Sequence, residues 1–415
     1  MSKELSRVSI EEALKRIYQE IAKFEPVKVS TPDALGMIVA DDVVAGKDYP
    51  PYSQAEKDGF ALSSKLLSKA SPENTIRLKV LGTLSPGQIP SELERRDYCF
   101  RVLTGAYLPE WCDAVVMQED VELEDGEAIF THPVQRGANI YAKGSDIHKG
   151  DIILRKGHMI NSFDVSLLLS YGLYEVKVAP KLKVALLATG SELVDSLDMI
   201  KKGKILETNK IAISGILSGF GFSVIDAGLA TDDDREIASA ISKALEEVNV
   251  VITTGGSSVG EKDLVLDSFK RLGGKIILHG LKLRPSSTAG VATIKGKLIF
   301  ALSGLIQSCV VAMFNLVLPV LRYMQGIEGY EVPAVMARLD KKVVASWPKD
   351  FKRIIWLRLY SKQASLYAAP SLVSSHSKSV ITHSDGYAVI DGNTVLAKGS
   401  VIKVFLIKNY GMADM

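Results

Sequence analysis

Cysteine and histidine are scarce in this chain: three Cys and six His among 415 residues. Cys99, Cys112 and Cys309 form no C-x-x-C pair and leave an odd thiol. A disulfide framework is therefore not expected, and a reduced, cytosolic setting is the simplest account. The scattered imidazoles and thiols leave little room for a soft-ligand metal site. Neither sign of charge is in excess: 50 Lys+Arg stand against 48 Asp+Glu, a formal net charge of +2. That balance gives no electrostatic reason to expect a nucleic-acid or membrane partner. No apolar run reads as a membrane span of ~18 residues, and residues 1–7 carry no apolar core of a secretory signal. Internal repeats and low-complexity tracts are absent, which removes repeat architectures.

What is present is a long chain with an ordinary core. Its 47% apolar and 24% charged residues fit a globular protein, and its length asks for roughly two to four domains. Residues 9–23 read as an amphipathic helix, with Ser9 and Glu12 as a capping box and Ala13, Ile17 and Ile21 on one face. From 27 to 178 the signals are short strands (78–84, 114–117, 151–154) and frequent Gly/Pro turns. From Lys181 strands and helices alternate. Strands are expected at 184–188, 222–229, 250–253, 275–279 and 297–302, and helices at 209–217, 235–247, 263–272 and 307–323. That alternation predicts a three-layer α/β domain with a mostly parallel sheet. After Gly326 short strands return (335–339, 354–359, 401–407), predicting a small all-β domain. The division expected is 1–178 for a helix plus β-rich region, 179–327 for the α/β domain and 328–415 for the last.

The most informative stretch runs from Val250 to Asp263. A β-branched run ends in Thr254-Gly255-Gly256-Ser257-Ser258 and then reaches Glu261 and Asp263. Glycine lets a backbone approach an anion, and Ser and free N–H groups can hold it. Carboxylates just beyond suit a divalent cation on the same ligand. Ala188-Thr189-Gly190-Ser191-Glu192-Leu193 is a second strand end of the same kind, and both loops should fall on one sheet edge, where ligands bind in α/β sheets. Thr231-Asp232-Asp233-Asp234 follows a third strand, and helix capping alone would explain it. Pro50 to Ala61, Leu103 to Glu119 and Gly144 to Asp151 are turn-rich loops, each of which alone reads as a β-turn.

Taken together and in order, these segments resemble the molybdopterin molybdenumtransferase family, which includes the C-terminal domain of gephyrin. The family pattern P-P-F-x-x-S-A-M-D-G-Y-A meets Pro50 to Ala61, and T-G-A-x-L-P…D-A-V-V-x-x-E meets Thr104 to Glu119. G-x-D meets Gly144 to Asp146, S-T-G-D-E-L meets Ala188 to Leu193, and D-S-N meets Glu207-Thr208-Asn209. S-G-G-V-S-V-G-x-x-D meets Thr254 to Asp263. The resemblance implies an elongated homodimer with a split N-terminal region of two interleaved subdomains, a central α/β domain and a C-terminal β-barrel. It implies that adenylylated molybdopterin is cleaved with Mg²⁺ and that molybdate is placed on the dithiolene. It carries catalytic roles to Asp58, Thr104, Asp146, Glu192, Asp232 and Asp263, with Mg²⁺ on Glu192 and Asp263. Substrate contacts fall to Thr189, Gly190, Asn209, Gly255, Gly256, Ser257, Ser258, Arg284 and Ser308. The cleft is expected to draw on more than one domain. Implied protein partners are the molybdopterin adenylyltransferase and molybdoenzyme apoproteins.

The chain departs from the pattern at its anion loops. K-P-G-K-P appears as Arg284-Pro285-Ser286-Ser287-Thr288, so one lysine has become Arg and the second Ser. P-G-N-P-V-S appears as Ser303-Gly304-Leu305-Ile306-Gln307-Ser308, the first acid of S-T-G-D-E is Ser191, and G-S-G-x-L is blurred into residues 374–378. Three readings stay open. The leading one is a transferase with an altered oxyanion pocket, for molybdate or a related oxyanion such as tungstate. The others are a non-catalytic pterin carrier or assembly homologue, and a metal-dependent phosphoanhydride hydrolase.

Overall fold

Val184, Leu186, Val250 and Ile252 alternate with Ala185, Leu187 and Val251, and all are buried. In a strand such alternation fills both faces of a sheet. A computed structural model describes residues 7–88, 97–201, 203–256, 264–371 and 377–408. The chain divides into two compact units. One comprises Met1–Ala40, Met159–Asn161 and Lys177–Met415; the other comprises Asp41–His158 and Ser162–Val176.

The first unit is built on a six-stranded sheet in the order Ser223–Ala230, Lys183–Thr189, Val250–Thr254, Lys297–Leu302, Gly290–Ile294, Lys275–His279. Its first four strands are mutually parallel. Gly290–Ile294, which the periodicity does not separate out, runs antiparallel to Lys297–Leu302, so the sheet is mixed rather than parallel throughout. The reversal is a two-residue hairpin at Lys295 and Gly296, both with positive φ (50° and 76°), which is the geometry that matches strand twist.

Helices cover both faces. On one side Asn209–Gly219 and the long helix beginning at Ile306 share a core with Val184, Leu186, Val250 and Ile252. On the other, Asp234–Glu247 and Leu264–Arg271 pack through Ile237, Ile241, Val265 and Phe269 on Ala185, Leu187 and Val251. The expected three layers are present.

The N-terminal helix also belongs to the first core, through buried Ala13 and Ile17. It covers Ile10–Tyr18 and stops short of the expected 23. Ser9 Oγ accepts the Glu12 N–H at 3.2 Å, while the Glu12 carboxylate holds Arg16 at 2.7 Å. Beyond Tyr18, which stacks on Tyr323 at 4.0 Å, the chain crosses the end of the long helix, where the Phe24 N–H donates to Met324 O at 2.7 Å. Tertiary contact thus overrides the continuing apolar period.

That long helix, Ile306–Met324, is the one described helix apolar and long enough to cross a membrane by length and composition, and it is 78% buried. Residues 310–321 are core, Asn315 alone among them being half-buried. A π turn, Met313–Val317, interrupts it. Pro319 has no N–H for the Asn315 carbonyl one turn back, and the widened turn accommodates its ring. Asn315 Nδ2 then donates to Val311 O (2.8 Å) and Tyr387 Oη (3.0 Å).

The closed C-terminal barrel has five strands: Lys352–Lys362, Ser365–Ser371, Ala334–Leu339, Val401–Leu406 and Gly386–Asp391, the last pairing back on the first. Leu283–Arg284, a short strand leaving the α/β domain, adds to Lys352–Lys362 in parallel.

The second unit is β-rich, as expected. Its six-stranded sheet runs Ala114–Met117, Gly59–Leu62, Tyr98–Val102, Ile76–Leu84, Glu127–Phe130, Glu122–Glu124.

Arg322 is a buried cation in the first unit, only 2% exposed. Its guanidinium donates to Gln325 Oε1 (2.6 Å) and Phe220 O (2.8 Å), and Phe222 and Tyr330 flank it at 4.8 and 5.6 Å. Burial pulls its pKa down. Arg322→Ala strands these acceptors and leaves a void, so urea unfolding should show a loss of about 3 kcal/mol. Arg322→Met, which keeps the stem's volume, should lose less. An unchanged midpoint in Arg322→Ala would contradict the cage.

Candidate active site

Thr189, Ala230, Thr254 and Leu302 are the last residues of the four parallel strands, so their loops share one sheet edge. Backbone bonds join neighbouring ends: Gly190 N–H to Ala230 O and Gly255 N–H to Leu302 O, both 3.0 Å. Gly255 (φ +94°) passes so near Thr189 that a Cβ would lie 2.2 Å from its carbonyl oxygen. A Cβ on Gly256 (φ +63°) would lie 2.7 Å from Thr189 Oγ1. Both positions therefore require glycine, for space and for backbone angle.

The acids on this edge are not equivalent. Glu192 is exposed, and its carboxylate lies over Gly190, where a Cβ would meet its oxygens at 2.7 and 2.9 Å. Asp232 is tied to Ser191: its Oδ2 accepts the Ser191 N–H (2.9 Å) and Ser191 Oγ accepts the Asp232 N–H (3.0 Å). Asp233 caps the following helix, as its sequence position suggests. Ser257, Ser258 and Asp263 lie outside the described residues, and so does the proximity expected between Asp263 and Glu192. Among the described residues no three Asp, Glu, His or Cys side chains are grouped to hold a metal. Glu192 is a hard oxygen donor, which fits Mg²⁺ only in company with a further carboxylate or substrate phosphate oxygens.

Asn209 opens its helix as expected. Glu207, not Thr208, caps it, accepting the N–H groups of Asn209 (2.7 Å) and Lys210 (3.0 Å). The Asn209 amide nitrogen donates to Gly304 O at 2.8 Å. A Cβ on Gly304 would in turn lie 3.5 Å from Gly255 Cα. The 303–308 loop, whose last three residues are the first turn of the long helix, thus abuts the sheet-edge turns directly.

The same loop lines a pocket of about 420 Å³ on the barrel side, through Ser303 and Ser308. Arg284, the buried Ser286 and Ser287, and the barrel residues Trp347, Arg353 and Trp356 complete the wall. Gln307 fastens the loop, accepting from Trp356 Nε1 (2.9 Å) and donating to Ser377 O (2.7 Å). Arg284 and Arg353 stand opposite each other in the parallel strand pair. The nearby acids are taken by lysines: Asp350 by Lys282 (2.9 Å) and Asp391 by Lys352 (2.7 Å). Neither arginine has a carboxylate partner among the described residues. Two unneutralised guanidiniums on one pocket favour an anion between them, and their planar forks suit a tetrahedral oxyanion.

The resemblance names Arg284 and Ser308, which both line this pocket, with Arg284 as the cation left in its loop; it does not name Arg353 or Trp347, which line it too. Arg353 precedes the apolar run read as a strand, and nothing local distinguishes it. Of the blurred 374–378 turn, only Ser377 and Lys378 are described.

In the second unit the three N-terminal motifs converge. Gln54 and Ala55 pair with Tyr141 and Ile140, Gln54 bridges to Tyr107, and the Gly105 N–H donates to Ala55 O at 2.7 Å. The Gly144 N–H donates to Pro50 O (3.0 Å) and the Asp146 N–H to Tyr49 O (3.2 Å). Asp58 Oδ1 accepts both the Thr104 N–H (2.7 Å) and its hydroxyl (2.8 Å). Those two bonds, the backbone one foremost, hold the Asp58 carboxyl below the usual aspartate range.

Residues 8–172 match a family model described as the MoeA N-terminal region (domain I and II), and residues 185–323 match a probable molybdopterin binding domain. The chain is 32% identical over 406 residues to a molybdopterin molybdenumtransferase of Staphylococcus epidermidis, covering 97% of this chain and 96% of that protein. A Staphylococcus aureus protein of the same description is 32% identical over 365 residues, covering 88% and 86%. Two structures of a molybdopterin biosynthesis moeA protein from Pyrococcus horikoshii are similar, with TM-scores of 0.83 and 0.78 at 30% and 28% identity. They cover 98% and 97% of this chain and 100% of each structure.

The Asp58–Thr104 contact makes a pH prediction. A carboxyl depressed on folding stabilises the fold above its unfolded pKa, and that contribution is lost as pH falls through the folded value. Thr104→Val keeps the N–H but removes the hydroxyl, so the Asp58 midpoint should rise toward the ordinary aspartate range in a carboxyl-carbon NMR titration. An unmoved midpoint would mean that the hydroxyl bond does not act on Asp58 in solution.

Proposed function

This chain belongs to the molybdopterin molybdenumtransferase family, and from that premise we propose that it inserts molybdate or tungstate into adenylylated molybdopterin with release of AMP. The supporting observation is the 303–308 loop, which touches the Gly255 turn and Asn209 on one side and lines the two-arginine pocket on the other. Such a loop would set a phosphate subsite and an oxyanion subsite side by side. The Gly256 N–H, with the serines that the resemblance adds at 257 and 258, would hold the phosphates, with Thr189 buttressing the turn. Glu192, with Asp263, would hold Mg²⁺, which when bound supplies charge neutralisation on the phosphoanhydride. Arg284 and Arg353 would bind the oxyanion edge-on, with the hydroxyls of Ser286, Ser287 and Ser308 as further donors. The resemblance adds Asp58, Thr104, Asp146 and Asp232 as site residues.

The reaction is tested by incubating the purified chain with adenylylated molybdopterin and Mg²⁺, with and without molybdate or tungstate. AMP release that requires both Mg²⁺ and an oxyanion is expected. Binding without turnover would favour the carrier reading, and oxyanion-independent AMP release the hydrolase. In calorimetric titration with tungstate, Arg284→Ala should weaken binding by roughly tenfold to a hundredfold, from about 1.5–3 kcal/mol of charge-assisted bonding. Arg353→Ala should fall in the same range, and Ser287→Lys should strengthen binding. Unchanged affinity in both arginine variants would remove the oxyanion pocket. A homodimer is proposed on the resemblance alone, and a cytoplasmic setting on the unpaired thiols. Light scattering should then show a particle of twice 45.0 kDa.

A further inference from the structure

Arg284 is exposed, and a free arginine side chain samples many rotamers whose entropy is lost when it grips an anion. Its guanidinium carbon lies 4.8 Å from the centroid of the Trp347 ring, within cation–π reach. The ring itself stands on a clamped backbone. The Trp347 N–H donates to Gly392 O (2.9 Å), the Gly392 N–H to Phe351 O (2.7 Å), and the Phe351 N–H to Pro348 O (3.0 Å). A Cβ on Gly392 would lie 2.3 Å from Pro348 O, so the clamp closes only around glycine. The flanking strand Val343–Ser346 is paired with Asn393–Leu396. Trp347 nevertheless remains 39% exposed and lines the pocket.

A guanidinium has a flat face and a donor edge. Stacked on an indole, it spends the face and keeps its in-plane N–H groups free for an oxyanion. An ammonium has no such division, so ring and anion would compete for the same N–H groups. We propose that Trp347 is a positioning residue for oxyanion binding: it holds the Arg284 guanidinium face-on at the pocket mouth with the donor edge turned to the anion. The pairing accounts for Arg at 284 where the family pattern has Lys, and it offsets Ser287, where the pattern has a second cation. The inference rests on the reading of this pocket as an oxyanion site.

Calorimetry with tungstate on the full chain tests it, using wild type, Trp347→Ala, Trp347→Phe, Arg284→Lys and the Trp347→Ala/Arg284→Lys double variant. Trp347→Ala should weaken binding about threefold to tenfold, from the size of an exposed to partly desolvated cation–π contact, and Trp347→Phe should recover most of it. In the Arg284→Lys background, Trp347→Ala should cost little more. Tungstate should also change indole emission in wild type, and that change should shrink in Trp347→Phe to what Trp356 in the same wall contributes, while calorimetric binding persists. A merely structural Trp347 would cost as much in the Arg284→Lys background as in wild type. If wild type binds tungstate and Trp347→Ala binds it equally well, the positioning role is wrong and the oxyanion reading stands. If Trp347→Ala does not fold, the Arg284→Lys affinity decides: an unchanged affinity overturns the proposal. If wild type binds neither tungstate nor molybdate at millimolar concentration, both the reading and the proposal fall.

Discussion

Two residues of backbone pairing carry much of this architecture. Leu283 and Arg284 run parallel to Lys352 and Arg353, joining the loop that leaves the α/β domain to the first strand of the closed barrel. The Lys352 N–H extends the ladder to Lys282 O at 2.8 Å, and the Lys282 N–H continues it to Val8 O at 2.7 Å. In that register Leu283 enters the core, Lys282 and Lys352 find Asp350 and Asp391, and the two arginines stand side by side with no acid among the described residues. A one-residue slip would part the two arginines.

The second constraint is steric. Gly255 and Gly256 lie against Thr189 with no room for a side chain, and Gly304 abuts Gly255. The turn that can approach a phosphate and the loop that walls the arginine pocket are therefore packed as one piece. Ser191 fits the same economy of charge. Where the family pattern has an acid, its hydroxyl and N–H latch Asp232, which leaves Glu192 as the outward carboxylate of that strand end.

Much of this was legible in the residues. Strands at 250–254 and 183–189 announce themselves as apolar runs broken by Thr-Gly, and Gly-Gly at a strand end asks for a close backbone approach. Ser9 as a cap and Asp233 as a cap follow from local chemistry alone. The antiparallel strand Gly290–Ile294 was hidden because its turn is Lys295-Gly296 rather than Asn-Gly. The first helix reads too long because Ile21 keeps the period, while the Phe24–Met324 bond redirects the chain. Arg353 and Trp347 could not be placed, since their meaning comes from pairing with a strand remote in sequence.

The central claim is that a tetrahedral oxyanion binds between Arg284 and Arg353, where that strand pair meets the 303–308 loop. Diffraction at the tungsten L-III edge from crystals grown with tungstate tests it most directly. The account predicts an anomalous peak inside the pocket, within hydrogen-bonding reach of both guanidiniums. A fully occupied peak elsewhere, with the pocket holding only water, would contradict it.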